Sequence, residues 1–153
     1  MLLKMYFKIR TIVKSTFIRI KYFPRLNCAY LRCSGNIIFG KNVYIAPGGI
    51  IDVQHGACLI IGPNTYIGEY CNIRVDKTIT IGENCKIAQF VTIVDADYIF
   101  AGKYIDHKSR NISPVSIGNN VFIGVGSSIL RGSYIANNSI IPSMSKIMRI
   151  SKK

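Results

Sequence analysis

Ile81-Gly82-Glu83-Asn84-Cys85-Lys86-Ile87-Ala88-Gln89-Phe90-Val91-Thr92-Ile93 places an aliphatic residue at every sixth position, twice followed by Gly or Ala. The same beat runs through Ile61-Gly62, Ile67-Gly68 and Ile73, and again through Ile117, Ile123, Ile129, Ile135, Ile141 and Ile147. A six-residue repeat predicts an all-β chain folded as a parallel β-helix, in which each coil buries its aliphatic residues only by stacking on its neighbours. Three hexads make one triangular turn of about 18 residues. Extra residues within Asp76–Thr80 then stack Ile61 under Ile81, Thr65 under Cys85 and Cys71 under Val91.

Working outward, the coils are expected from about Asn36, with hexads opening at Phe39, Ile45 and Ile51. After Ile93 the beat stops, and it resumes at Ile117. The interval, about 94–116, reads as a polar loop expelled from one corner, carrying Asp95, Asp97, Lys103, Asp106, His107, Lys108 and Arg110. An expelled loop on a regular solenoid is where function usually sits. The expected organisation is a basic N-terminal cap, helical or extended, over 1–35 and a β-helix domain over 36–150.

Composition bounds the remaining possibilities. The chain has 153 residues, 49% of them hydrophobic, enough for one domain with a sizeable core. No uninterrupted apolar run reaches about 18 residues, and Lys4, Lys8, Arg10 and Lys14 break any signal-peptide core. A cytoplasmic location is the expectation. The five cysteines are odd in number and lack CxxC spacing, so neither disulfides nor a metal site is expected. Cys71 and Cys85 share the inward fifth hexad position with Thr65, Ser127 and Ser133, and read as core filler.

The net charge is +13, and Met1 to Ile51 contains no acidic residue. Leu2, Met5, Tyr6, Ile9, Ile12, Val13 and Ile20 fit one helical face opposite Lys4 and Lys8. Two readings of 1–22 stand side by side. One is weak contact with an anionic membrane, peripheral at its inner face; the other is a cap over the open end of the solenoid. Nucleic acid is not an expected partner, because no recognition motif accompanies the charge.

Ile81-Gly82-Glu83-Asn84-Cys85, Val91-Thr92-Ile93-Val94-Asp95-Ala96-Asp97, Pro114 to Gly124 and Ser128 to Ser133 resemble the hexapeptide-repeat acyltransferases. The resemblance is closest to those that acetylate sugars in bacterial surface polysaccharide synthesis, and Phe17 to Pro24 is similar to their lead-in. It implies a left-handed coil, a homotrimer with active sites between neighbouring subunits, acetyl-CoA along the coil edge as acyl donor, and a saccharide or nucleotide-sugar acceptor. It also implies a His general base, a group whose ordinary pKa suits taking a proton from a hydroxyl near neutrality. In the family that His follows Asp-x-Asp within one or two residues. Here Asp95-Ala96-Asp97 is followed by Tyr98, Ile99 and Phe100.

The chain has two histidines. His107, in the expelled loop, is the candidate base; its alternative is a solvated loop residue. His55, in a turn-like Gln54-His55-Gly56, reads as surface or packing. Asp95 and Asp97 either orient a base and bind acceptor hydroxyls, or satisfy backbone N–H groups at a corner. Gly124, Gly126 and Ser127 are the residues the resemblance sets against the pantetheine arm, although hexad corners require small residues in any case. Lys146 would meet the phosphates of coenzyme A, or belongs with Arg149, Lys152 and Lys153 to a solvated tail. The reading from another class is a catalytically inactive trimer kept as a scaffold or binding module.

Overall fold

The computed structural model describes residues 25–28 and 30–148, with only the backbone of residues 25, 100, 101, 107 and 108. The N-terminal 1–22 segment and the basic residues after 148, and the expectations attached to them, lie outside the described residues. Among the described residues there is no helix. Short parallel strands form three flat faces that wind into a β-helix. The first face stacks Arg25–Leu26, Tyr44–Ile45, Tyr66–Ile67, Lys86–Ile87, Phe122–Ile123 and Ile140–Ile141. The second stacks Tyr30–Cys33, Ile50–Val53, Asn72–Val75, Thr92–Val94, Ser128–Ile129 and Lys146–Ile147. The third stacks Asn36–Phe39, Cys58–Ile61, Thr78–Ile81, Val115–Ile117 and Tyr134–Ile135.

The hexad arithmetic holds in the register. Phe39, Ile61, Ile81, Ile117 and Ile135 pair in one column. Ile45, Ile67, Ile87, Ile123 and Ile141 pair in the second, and Ile51, Ile73, Ile93, Ile129 and Ile147 in the third. From Ile61 to Ile129 every member of these columns is at most 1% exposed. Full burial of such a side chain is worth roughly 1.5–3 kcal/mol, so three Ile per coil supply most of the cohesion. Cys71 and Cys85 fill inward corner positions at 2% and 1% exposure. Their thiols donate to the carbonyls of Ala88 and Gly118, both at 3.1 Å, and burial pushes both thiol pKa values up.

Corners make the period possible. Between the third and first faces, Asn42, Asn64, Asn84, Asn120 and Asn138 all adopt positive φ, a conformation Asn tolerates at low cost. Between the first and second faces the same role falls to Gly48, Tyr70, Phe90, Gly126 and Met144. Tyr70 and Phe90 stack at 5.4 Å between centroids with planes 7° apart. The corner between the second and third faces has Gly56 and Gly132, and here the chain leaves the coil.

Two expectations need amendment. The stack is entered before residue 36, because Arg25–Leu26 and Tyr30–Cys33 already pair with the next coil. Leu31 and Cys33 point inward there without the Ile-Gly signature that marks later hexads. The excursion after Ile93 is not a polar loop but an antiparallel hairpin, Ala96–Ala101 against Tyr104–Ile112. Tyr98, Ile99, Phe100, Tyr104 and Ile105 are strong strand formers, and Gly102 at φ 64 opens the two-residue turn that joins them.

Candidate functional site at the hairpin neck

The hairpin leaves the coil at Asp95, which is fully buried. One carboxylate oxygen accepts the N–H of Asp76 at 2.7 Å; the other accepts those of Lys77 at 2.8 Å and Thr78 at 2.7 Å. These three donors turn the corner of the coil below and have no ladder partners of their own, because the chain above departs into the hairpin. The carbonyl of Asp95 accepts the N–H of Ser113, closing the neck, and the carbonyl of Ser113 accepts the N–H of Gly132 in the coil above. Asp95 therefore performs the backbone-satisfying role of its two expected alternatives, with both oxygens engaged.

Asp97, two pairs further out, faces Arg131 of the coil above, with Nε to Oδ2 at 2.7 Å. On the returning strand Arg110 reaches down to Asp76 at 3.3 Å, and its guanidinium lies 4.9 Å over the ring of Tyr98. Tyr98 and Arg110 are cross-strand partners, so the cation–π contact and the ion pair hold the same rung. Asp76 also accepts from Arg74 at 3.1 Å. Arg74 stacks in register on Asp52 and Asp52 on Arg32, with both Arg32–Asp52 hydrogen bonds at 2.6 Å. That fork raises the Arg32 pKa further above its ordinary value. A ladder of alternating charge thus runs up the second face to the hairpin. Sequence reasoning missed Arg131, Asp76 and this ladder, although Arg32, Asp52 and Arg74 recur about one coil apart with alternating sign.

His107 belongs to the returning strand, in a break in the pairing. Tyr98 pairs with Arg110 but Ile99 pairs with Asp106, leaving 107–109 unopposed. Ser109 donates its N–H to Asp106 Oδ1 at 3.3 Å across this break. His107 and Lys108 lie in the resulting bulge of the strand. Exposed His55 lies on the same corner, two coils below the hairpin neck, roughly 10 Å along the stack.

The four residues expected at the cofactor lie on a different edge. Gly124, Gly126 and Ser127 turn the corner between the first and second faces, and Lys146 is exposed on the second face one coil up. A Cβ on Gly124 would come within 2.4 Å of the Ser143 nitrogen, so coil stacking alone requires glycine there. Ser127 is fully buried; its hydroxyl donates to the Pro142 carbonyl at 3.0 Å and accepts from the Ser145 N–H at 3.2 Å. Gly126, at φ 69, keeps the outer surface of this corner low beside Met144. Five residues of extended chain, roughly 15 Å, separate Gly126 from Arg131 at the hairpin neck. Within one chain the structure brings Asp95 and Asp97 together at the neck that carries His107, and leaves Gly124, Gly126, Ser127 and Lys146 apart from them. Among the described residues no group of His, Cys, Asp or Glu is arranged to hold a metal ion.

No family model matches the chain. It is 34% identical over 107 residues to the galactoside O-acetyltransferase of Escherichia coli K12, a match covering 67% of this chain and 49% of that protein. It is 28% identical over 132 residues to a putative lipopolysaccharide biosynthesis O-acetyl transferase, WbbJ, of the same organism, covering 80% of this chain and 65% of that protein. The chain thus spans about half to two thirds of the length of these relatives. Among solved structures it is similar to AntD, an N-acyltransferase from Bacillus cereus in complex with dTDP and 3-hydroxybutyryl-CoA. The TM-score is 0.64 at 21% identity, over 73% of this chain and 62% of that one. At that identity the likeness speaks for the fold. With hexads that keep their register across the hairpin, a β-helical coil stack and two relatives from sugar and lipopolysaccharide O-acetylation, the chain belongs to the hexapeptide-repeat O-acetyltransferase family.

Proposed function

We propose that the chain transfers an acetyl group from acetyl-CoA to a hydroxyl of a saccharide or nucleotide-sugar acceptor in surface polysaccharide biosynthesis. We place it in the cytoplasm, working as a homotrimer. The observation that carries this reading is the hairpin neck. A short ribbon that is marginal alone is fastened to the coils below and above by Asp95, Asp97–Arg131 and Arg110–Asp76, and carries His107 in a bulge just beyond. The relatives supply the reaction class, and the acyl-CoA bound by AntD supports a CoA donor.

The low corner at Gly126 and the cation of Lys146 fit an acyl-CoA lying along that edge, the glycine admitting the pantetheine arm and the lysine meeting phosphate charge. Bound there, acetyl-CoA would supply its acyl group activated as a thioester. His107 would take the proton of the acceptor hydroxyl as that oxygen attacks the thioester carbonyl, and return it to the coenzyme A thiolate that departs when the C–S bond breaks. Arg110 and Tyr98 hold the rung beneath the His107 bulge. Because the Gly126 edge and the hairpin of one chain lie on different corners, a neighbouring copy that sets its hairpin against this edge would complete the site. Asp97, held by Arg131, would offer its remaining acceptor capacity to acceptor hydroxyls.

A second reading, an inactive trimer serving as scaffold, is favoured by Tyr98 and Ile99 standing where the family's His is expected, and by the internal reasons found for Gly124 and Ser127. Calorimetric titration with acetyl-CoA, followed by acceptor screening of His107→Ala and His55→Ala, separates the two. The acyltransferase reading expects saturable binding by all three proteins and loss of transfer only in His107→Ala. Transfer unchanged in His107→Ala removes it as base, and absence of acetyl-CoA binding by folded protein leaves the scaffold.

A further inference from the structure

Beyond the neck, the hairpin presents apolar side chains to solvent. Tyr104 is 79% exposed and Ile105 44%. Among the described residues, the ion pairs between hairpin and coils, Arg110–Asp76 and Asp97–Arg131, lie at the neck. From Tyr98 to Ile105 there is no acidic residue, and exposed Lys103 occupies the turn at the tip. Aromatic rings with lysine at the end of a projecting ribbon match the chemistry of the bilayer interface, where amphipathic rings sit at headgroup level and lysine meets anionic headgroups.

Charge decides between a lipid surface and other occupants. The chain carries 20 Lys and Arg against 7 Asp and Glu. Of those seven, Asp52, Asp76 and Asp97 are spent on arginines and Asp95 on backbone amides. A second copy would bring cationic surface to a cationic tip, whereas an anionic membrane complements it. We infer that the hairpin tip, Ile99 to Ile105, is a docking element for an anionic lipid surface, distinct from any contact made by residues 1–22. This holds whether or not the chain transfers acyl groups.

Depth is limited by the backbone. A two-stranded ribbon leaves the outer N–H and C=O groups of both strands unpaired, and these cannot enter hydrocarbon without large cost. The tip therefore settles at the boundary of headgroups and acyl chains, roughly 5–10 Å in, while Asp97, Arg110 and the neck stay in water. The bulge carrying His107 would then lie next to the headgroups.

The chain contains no Trp, so one introduced tryptophan reports its own site. Tyr104→Trp at the tip and Tyr134→Trp, 76% exposed on the third face, are compared in full-length protein. The probes are vesicles of phosphatidylcholine with and without phosphatidylglycerol, including lipids brominated near the headgroup. The inference expects a blue shift and bromine quenching for Tyr104→Trp with anionic vesicles, reversed by salt, and neither effect for Tyr134→Trp. Lys103→Gln should weaken vesicle binding about fivefold. Ile105→Trp serves if Tyr104→Trp does not melt cooperatively. Vesicle binding without quenching at the tip would assign attachment to another surface and overturn the inference, as would no binding to anionic vesicles. Emission already shifted without lipid and unaltered by vesicles would put a second copy on the tip and likewise overturn it.

Discussion

Replacing Asp95 separates the two roles its sequence position allows. Its buried carboxylate accepts three backbone N–H groups at 2.7–2.8 Å. Hydrogen bonds to a charged acceptor are worth roughly 1.5–3 kcal/mol each, and a buried donor left unpaired costs about 1–3 kcal/mol. Water entering the vacated corner recovers part of this, so Asp95→Ala should cost about 3–6 kcal/mol. At roughly 2–4 °C per kcal/mol for a chain of this size, the melting point should fall by about 10–20 °C. Asp95→Asn is the sharper variant. Its amide oxygen can serve Asp76 or the Lys77–Thr78 pair but not both, and its NH2 then faces an N–H. One acceptor is lost and one donor conflict added, about 2–3 kcal/mol. Urea melts followed by circular dichroism, with acetyl-CoA titration of each variant, read both effects. A wild-type melt for Asp95→Asn together with lost acyl transfer would refute the clamp and return Asp95 to the reaction.

Glycines test the stack. A Cβ on Gly68 would sit 2.7 Å from the Ala88 carbonyl carbon and the Gln89 nitrogen, backbone of the next coil, whereas one on Gly56 meets nothing within 4 Å. Gly68→Ala should cost about 2–3 kcal/mol by overpacking, and Gly56→Ala only about 1 kcal/mol, for its positive φ; equal costs in urea melts would contradict the stacking. The buried thiols test the core. Burial raises the pKa of Cys28, Cys33, Cys71 and Cys85 above the ordinary 9.0. For a group whose folded pKa is the higher, its stabilisation is complete below the unfolded pKa and is lost as pH rises through the folded one. Melting points should therefore hold to about pH 9 and fall above it, by up to roughly 1.4 kcal/mol per thiol per pH unit. Half-buried Cys58 should be alkylated first in native protein; equal labelling of all five would mean the coils are not closed.

The columns were legible because a coil has no core except its neighbours, so every inward position must repeat, and Ile123 and Ile135 follow Ile117 by six and eighteen residues. What lacked a period was harder to read. Residues 25–35 stack without a Gly after the aliphatic residue, so Leu31 and Cys33 gave no beat. The hairpin hid behind its own charges: Asp95, Asp97, Asp106 and Arg110 made the segment read as polar, while Tyr98, Ile99, Tyr104 and Ile105 between them carry the strand preference. Asp95 could be narrowed to two roles but not to one, because its partners are backbone amides, which leave no mark in a sequence. The Arg32–Asp52–Arg74 ladder did leave one, a sign alternation at the coil period, visible only once the register is known.

The corners divide the work of the molecule. The edge with Asn42, Asn64, Asn84, Asn120 and Asn138 uses the residue that tolerates positive φ, with side-chain bonds from Asn42 to Asn64 and from Asn120 to Asn138. Its needs are met within the coil. The edge with Tyr70, Phe90 and Met144 accepts positive φ at bulky residues, roughly 1–2 kcal/mol each, and leaves them 61%, 57% and 79% exposed. Stacking of Tyr70 on Phe90 returns about 0.5–1.5 kcal/mol, less than the two strained residues cost. Tyr70 also covers Gly48 of the coil below, and the outer faces of these side chains point to whatever lies against that edge. The same edge includes Gly126, proposed to lie beside the acyl donor, and the edge across the second face carries the hairpin. A chain that needed only to fold could have placed Asn at Tyr70 and Phe90, as it does at all five positions of the first edge. Strain on one flank of the second face and a buried carboxylate clamping the other are the two departures from a minimal coil, and a site shared between copies would need both flanks.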